Sequence, residues 1–412
     1  MKVLWITNNE PTVVAEHFGR INYSGGWINY SHELLANDEK IELFVLSNGF
    51  SYSWTEINGI HYAGFQGRDN YPSIFSMALD EIKPDIVHVW GTEYEHFLET
   101  AKLMKARNML DRFIVSIQGL VSIYDQYYCF ALPERIQRRK TLYEKLRHTS
   151  IEDAHRALHK RGIREKEGIK ISSNCIGRTD WDRAIIRQMN REITYYSCYE
   201  ILRKAFYQTQ WKYEDCEKHS IVFSQSRYIL KGFHVLLDAL VIVKQFYPDV
   251  KVYAVGKSPF EFANSIEKIK RYSFMDYIGE KIIDYDLTDN VIFVGSLNEK
   301  QMVDHYKRGN VFVCASGIEN SSNSVGEAMI LGMPVVASDV GGIKTFIEHN
   351  KNGILYQADS VNMLADGIMR VFEDTDKAIE MGRNAKITAD RIYDPVANTK
   401  NMISIYEHLI MI

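Results

Sequence analysis

The chain has 412 residues, 46% of them hydrophobic and 25% charged, with 49 Lys and Arg against 53 Asp and Glu for a formal net charge of −4. That length predicts two domains of ordinary size, and the apolar content supplies a core for each, which excludes a disordered chain. The slightly acidic balance gives no global attraction to nucleic acid, so no nucleic-acid partner is expected.

In chain order, Met1–Thr7 ("MKVLWIT") reads as a buried strand and lacks the longer apolar run and cleavage site of a signal peptide. Gly25 and Gly26 lead into a helical pattern around Trp27–Ala36. The runs "IELFVLS", "DIVHVWG" (Asp85–Gly91) and "RFIVSIQG" (Arg112–Gly119) read as further strands. Near-continuous apolar runs of this kind, separated by helical segments, predict a parallel sheet covered on both faces. From Leu120 to about Lys170 the pattern turns to long, aromatic and basic helices, and residues 135–170 hold 12 Lys and Arg against 5 Asp and Glu. Two readings stand for that segment: a solvated helical face, or a surface that docks on anionic lipid.

Trp211–His219 is polar and is the expected linker. After it a second α/β series runs through "SIVFSQS", "FHVLLDALVIVKQF", "VKVYAVG", "NVIFVG", "NVFVCAS" and "PVVASDVGG". The expected architecture is therefore α/β, with two Rossmann-like domains over residues 1–210 and 211–394 facing across a cleft. The amphipathic pattern Ala397–Met411, within a terminal segment 395–412, is expected to pack back toward the first domain. No stretch approaches the roughly 18 uninterrupted apolar residues of a membrane span, so any membrane contact is expected to be peripheral. The five cysteines show no Cys-x-x-Cys pair, and a reducing cytoplasm is the expected compartment.

The chemistry concentrates in "GIENSSNSVGEA", Gly317–Ala328. After the strand "VFVCAS", a polar turn leads into a helical pattern that Asn323 or Ser324 can N-cap. The amides of that helix start and its dipole form a site for a diphosphate. Glu327 is expected in the first turn, where it either grips two ribose hydroxyls or completes a cap. Glu319 precedes the helix, at the carboxyl end of the strand. On another loop of the same domain, Arg227 and Lys231 in "SQSRYILKG" can converge on two phosphates and neutralise charge as a phosphate leaves.

These segments, with "GEAMILGMPVVASDVGG" and "NGILY" following in order, resemble the family 4 glycosyltransferases of the two-domain GT-B fold, with their Glu-x7-Glu motif. The resemblance covers essentially the whole chain and is strongest over Ser220–Tyr356. It implies retaining transfer of a sugar from a nucleotide-sugar, UDP- or GDP-linked, to a glycan or lipid-linked acceptor. Such transfer belongs to cell-surface polysaccharide or lipopolysaccharide synthesis, in the cytoplasm or at the inner face of the cell membrane. By the same resemblance, Glu319 contacts the donor sugar, Glu327 the ribose, and Lys231 with Arg227 the diphosphate. The amides of Asn323, Ser324 and Val325 bind the distal phosphate, Val294 and Gly295 border the base, and Gly25 and Gly26 form the glycine loop of the first domain. Neither a cofactor nor a metal is expected, and Asp284-Tyr285-Asp286 is placed at a helix end or turn rather than at a metal.

Two positions depart from the family pattern. Ser226 precedes Arg227 where relatives have Gly, and Gln118 stands where many carry a histidine, so no acid or base is available at that position. On the acceptor side, His88 is either at the cleft or a buried, hydrogen-bonded strand histidine, and Arg178 and Asp180 either face the cleft or form a structural pair. A nucleotide-sugar epimerase and a non-catalytic nucleotide-sugar-binding protein are the alternative functions on the same architecture.

Overall fold

The computed structural model describes residues 1–22, 28–65, 70–262, 264, 267 and 269–411, so Gly25 and Gly26 lie outside the described residues. Two compact units divide the chain, and not at a single point. One contains Met1–Ile123, His159–Lys204 and Ile392–Ile412; the other contains Tyr124–Leu158 and Ala205–Arg391.

The first unit is built on strands β1 (Lys2–Thr7), β2 (Glu42–Asn48), β3 (Thr55–Ile57), β4 (Ile60–Phe65), β5 (Ile86–Trp90), β6 (Phe113–Ser116), β7 (Asn174–Gly177) and β8 (Thr194–Ser197). They form one sheet in the order β3-β4-β2-β1-β5-β6-β7-β8, parallel throughout except for the β3–β4 hairpin. Alternate residues of a strand point to opposite faces, and β1 shows the consequence. Leu4 and Ile6 enter one apolar core with Val87 and Val89, while Val3 and Trp5 enter the other with Ile86 and Trp90. The second core also takes Met402, Ile403, Ile405, Tyr406 and Leu409 from the helix Pro395–Met411.

The second unit carries β9 (Ser220–Phe223), β10 (Lys251–Ala254), β11 (Val291–Phe293), β12 (Val311–Cys314), β13 (Val335–Ser338) and β14 (Ile354–Tyr356). Their order is β11-β10-β9-β12-β13-β14, and every pairing is parallel. Counted within the unit this is 3-2-1-4-5-6, the doubly wound order whose reversal point lies between the first and fourth strands. Here those strands are β9 and β12, and the loops leaving their carboxyl ends carry Lys231 and Glu319.

The segment 124–158, grouped in sequence with the N-terminal domain, is compact with the second unit instead. Long-range polar partners explain this. Arg139 forks onto Glu280 with two hydrogen bonds of 2.7 Å. The buried Glu144 carboxylate accepts the backbone N–H and the hydroxyl of Ser273, both at 2.9 Å, at the start of the helix Ser273–Asp284. Local periodicity cannot report such partners, which lie more than a hundred residues away. The same contacts account for part of the basic charge of 135–170: Lys140 pairs with Glu152 at 2.6 Å, and Arg138 and Arg156 with neighbouring acids. Among the described residues no helix is long and apolar enough to cross a membrane.

Candidate active site

In the second unit the β9 and β12 loops are stitched together by their backbones. The N–H of Gly317 donates to the carbonyl of Leu230 at 2.8 Å. Gly232, at φ +72°, comes so close to Ala315 that a Cβ there would stand 1.9 Å from its carbonyl oxygen. Only glycine tolerates both the left-handed backbone and that approach. The stitch places Lys231, the last residue of the single turn Ile229–Lys231, with its Nζ 2.5 Å from Glu319 Oε1.

Glu319 is nearly sealed, with its side chain 7% exposed. Ser316 Oγ donates to the same Oε1 at 2.6 Å, and Ser338 Oγ holds the carbonyl of Ser316 at 2.6 Å. The backbone of Glu319 is fixed from the β13 loop, because the N–H of Gly342 donates to its carbonyl at 3.0 Å. Burial works against the Lys231 charge, but the Glu319 carboxylate beside it outweighs this and holds the ammonium above its ordinary value. The thiol of Cys314 in the same pocket is pushed up to about 11 by burial, so it stays protonated near neutral pH.

The helix Asn323–Leu331 begins at Ser322, not at Asn323 or Ser324 as expected, and no side chain caps it. Gly326 N–H makes the first intrahelical bond, to Ser322 at 3.0 Å, which leaves the amides of Asn323, Ser324 and Val325 without helical acceptors. Ser321 Oγ and Asn323 Oδ1 are buried there without a hydrogen-bond partner among the described residues. Glu327 is the fifth helical residue, one or two positions deeper than expected and past the first turn, and is 5% exposed. A terminal cap is therefore not its role. At the neighbouring strand ends Gly295 (φ +73°) and Gly256 exchange backbone hydrogen bonds of 3.0 and 3.1 Å, with open space where a Gly295 side chain would be.

Arg227 is exposed, with its guanidinium 6.0 Å from the Tyr272 ring, and lines a cavity of about 190 Å³ with Lys257, Pro259 and Lys270. The serine before it has a packing reason. Ser226 is fully buried against Gly256, and its hydroxyl donates to the Val255 carbonyl at 3.0 Å.

In the first unit two of the acceptor-side candidates, His88 and Arg178, are core residues. His88 is buried, with Nδ1 2.5 Å from the Tyr406 hydroxyl and Nε2 2.7 Å from Ser116 Oγ. Trp5 Nε1 donates to that tyrosine oxygen at 2.9 Å, so the phenol donates onward to Nδ1 and His88 carries its proton on Nε2. Burial pushes its pKa down to about 3, and the ring is a neutral core residue. Arg178 is likewise buried, paired with Glu200 at 2.5 Å, the two side chains 3% and 4% exposed. Asp180 is exposed in the first turn of the helix Asp180–Met189, whose capping box is made by Thr179 and Asp182. Asp284 and Asp286 sit at a helix end, where Asp286 pairs with Lys244.

Gln118 is half-buried after β6, and beside it stands a carboxyl that no spacing pattern flagged. Glu93 follows β5, and its Oε1 accepts the N–H of Gly119 at 3.0 Å. Its Oε2 lies 2.4 Å from where Gly91, at φ +89°, would carry a Cβ. Burial raises its pKa to about 7, reinforced by the nearby carboxylate of Glu165. Glu165 accepts the amides of Val121 and Ser122 and the hydroxyl of Thr92. Because the folded pKa of Glu93 lies above its unfolded value, ionising it opposes folding as pH rises from about 4.5 through about 7. Glu93→Gln is expected to be more stable than the parent at pH 8, by on the order of 3 kcal/mol. The two should converge below pH 4.5 in urea titrations.

Residues 209–388 match the family model of the group 1 glycosyl transferases. Among curated proteins the chain is 27% identical over 183 residues to the spore coat protein SA of Bacillus subtilis, covering 43% of this chain and 46% of that one. It is 24% identical over 176 residues to a GDP-mannose-dependent alpha-(1-6)-phosphatidylinositol monomannoside mannosyltransferase of Mycobacterium tuberculosis, covering 40% and 42%. The aligned part thus spans less than half the length of these relatives. Among solved structures, sucrose-phosphate synthase from Thermosynechococcus elongatus superposes with a TM-score of 0.73 at 17% identity, over 100% of this chain and 99% of that one. The Anabaena HepE protein, solved with UDP-glucose, superposes with a TM-score of 0.66 at 17% identity, over 99% and 100%. The fold is GT-B, with two Rossmann-like α/β units.

Proposed function

We propose that this protein is a retaining glycosyltransferase that moves a sugar from a nucleotide-sugar to a glycan or lipid-linked acceptor in cell-surface polysaccharide or lipopolysaccharide synthesis. The observation that carries the reading is the Lys231–Glu319 pair at the reversal point of a doubly wound sheet, beside a helix start whose amides have no side-chain cap. Ligands of such sheets bind outside the carboxyl ends of the strands at that point. The match of residues 209–388 to the group 1 glycosyl transferases supports the same reading, with a UDP- or GDP-linked donor.

In this reading Lys231 and the amides of Asn323, Ser324 and Val325 bind the diphosphate, and Glu327 takes the ribose. When the diphosphate arrives, Lys231 turns from Glu319 to the phosphate, and the released carboxylate accepts hydroxyls of the donor sugar. The bond from the anomeric carbon to the phosphate oxygen breaks, and the bond to the acceptor oxygen forms on the same face. The acceptor's proton passes to the departing diphosphate. Lys231 and the helix amides supply the positive charge that the leaving group needs, so transfer proceeds without an added metal.

Incubation with UDP-, GDP- and dTDP-sugars tests the proposal. Transfer or slow hydrolysis of one donor, lost in Glu319→Gln and retained in chelator, is the expected result. Epimer formation would assign the protein to the epimerases, binding without turnover would make it a carrier, and strict dependence on Mg²⁺ or Mn²⁺ would overturn the metal-free mechanism.

A further inference from the structure

The segment that joins the second unit is seated on the two loops that hold Lys231 and Glu319. Tyr124 is half-buried, and its hydroxyl accepts the backbone N–H of Asn320, the residue after Glu319, at 2.9 Å. The ring of Phe130 lies over Gly317, two residues before Glu319. A Cβ on Gly317 would meet its Cγ at 2.4 Å, so the loop needs glycine there to admit the ring. The carbonyl of Phe130 in turn accepts from His234 Nε2 at 2.9 Å, three residues after Lys231. Burial pushes His234 down to about 4, so the ring is neutral and donates this bond without carrying charge near neutral pH. One short aromatic segment thus touches the Glu319 loop at two points and the helix that follows Lys231 at a third.

We propose that Tyr124 and Phe130 are positioning residues of the donor site, which hold the Glu319 loop and the Lys231 helix start at the separation that pairs the two side chains. The inference rests on the reading of these loops as the donor site. The Glu319 side chain is held at one oxygen, Oε1, by Ser316 and Lys231, and of the two the Lys231 bond is to be lost to the diphosphate, which leaves Ser316 on the side chain and Gly342 on the backbone carbonyl. The Tyr124 hydroxyl fixes the backbone one residue away and remains in place when Lys231 turns to its ligand. A misplacement of the order of 1 Å in a group of this kind costs far more in turnover than in ground-state binding.

The test is hydrogen–deuterium exchange of the full-length protein, combined with steady-state kinetics. Tyr124→Phe is expected to speed exchange of the amides of 317–326 about tenfold, and to lower kcat about tenfold with donor KM within twofold. Exchange over 354–372 is expected to stay unchanged. Phe130→Ala is expected to act in the same way, and Phe130→Leu, which refills most of the space over Gly317, to restore both readouts. A uniform rise in exchange across the unit, with KM and kcat falling together, would show a merely structural role and overturn the proposal. So would unchanged exchange over 317–326 in both Tyr124→Phe and Phe130→Ala. If the parent protein turned over no nucleotide-sugar while the local exchange still responded, the positioning would stand and the transferase reading would fall.

Discussion

Lys231→Ala is expected to lower folding stability by about 3–5 kcal/mol and, in the proposed reaction, to reduce kcat by about 10²–10³-fold. The first effect follows from burial. With Lys231 gone, the Glu319 carboxylate, 7% exposed, keeps Ser316 as a donor to Oε1 but loses its countercharge. The cost of an unpaired buried charge exceeds what the pair itself contributes. The pH sign is set by the raised pKa of Lys231. Its stabilising contribution is complete below the ordinary lysine value of 10.5 and disappears only as pH rises above that, so the loss in the variant should be constant across neutral pH. Lys231→Met combined with Glu319→Gln should recover most of the stability and none of the turnover. A double-mutant cycle in urea, run beside the kinetics, separates the two roles. Should the single variant lose activity without losing stability, the pair would be weaker than its burial implies.

Arg178→Ala is expected to cost a similar 3–5 kcal/mol while leaving kcat of the folded fraction unchanged. The sequence offered Arg178 both as a residue facing acceptor and as half of a structural pair, and its partner turned out to be Glu200, not a nearby aspartate. Among the described residues Glu200 Oε2 is already buried without a hydrogen-bond partner, so removing the guanidinium takes away the countercharge and the donor to Oε1. Thermal unfolding should show the loss, and Arg178→Met with Glu200→Leu should restore much of it. A fall in kcat at full folding would return Arg178 to the acceptor site.

The loops that carry Lys231 and Glu319 were legible as loops because their pattern is local in sequence. Lys231 sits in "YILKG", and Glu319 and Glu327 flank a polar helix start, each within one strand-loop-helix unit whose period is readable. The details of the cap were not legible. The helix starts one residue early, at Ser322, because the turn is held from outside by Tyr124 on Asn320 and by the β13 loop on Glu319. The surroundings of Arg227 and Lys231, four residues apart, were not legible either. The turn Ile229–Lys231 directs Lys231 toward β12 and leaves Arg227 beside Tyr272. His88 shows the limit most simply. A strand ending in "VHVWG" is compatible with an exposed or a buried imidazole, and the choice was made by Tyr406, 318 residues further on.

The two α/β series and their parallel sheets are written in local sequence pattern. Strand periodicity, glycine placement and polar helix starts act over a few residues. Only the tertiary structure decided that 124–158 belongs with the second unit, that Glu93 lies beside Gln118, and that Lys231 meets Glu319 directly. Each of these depends on burial and on partners that lie far apart in the sequence. Such contacts change the energy of a side chain without leaving a mark in the residues next to it.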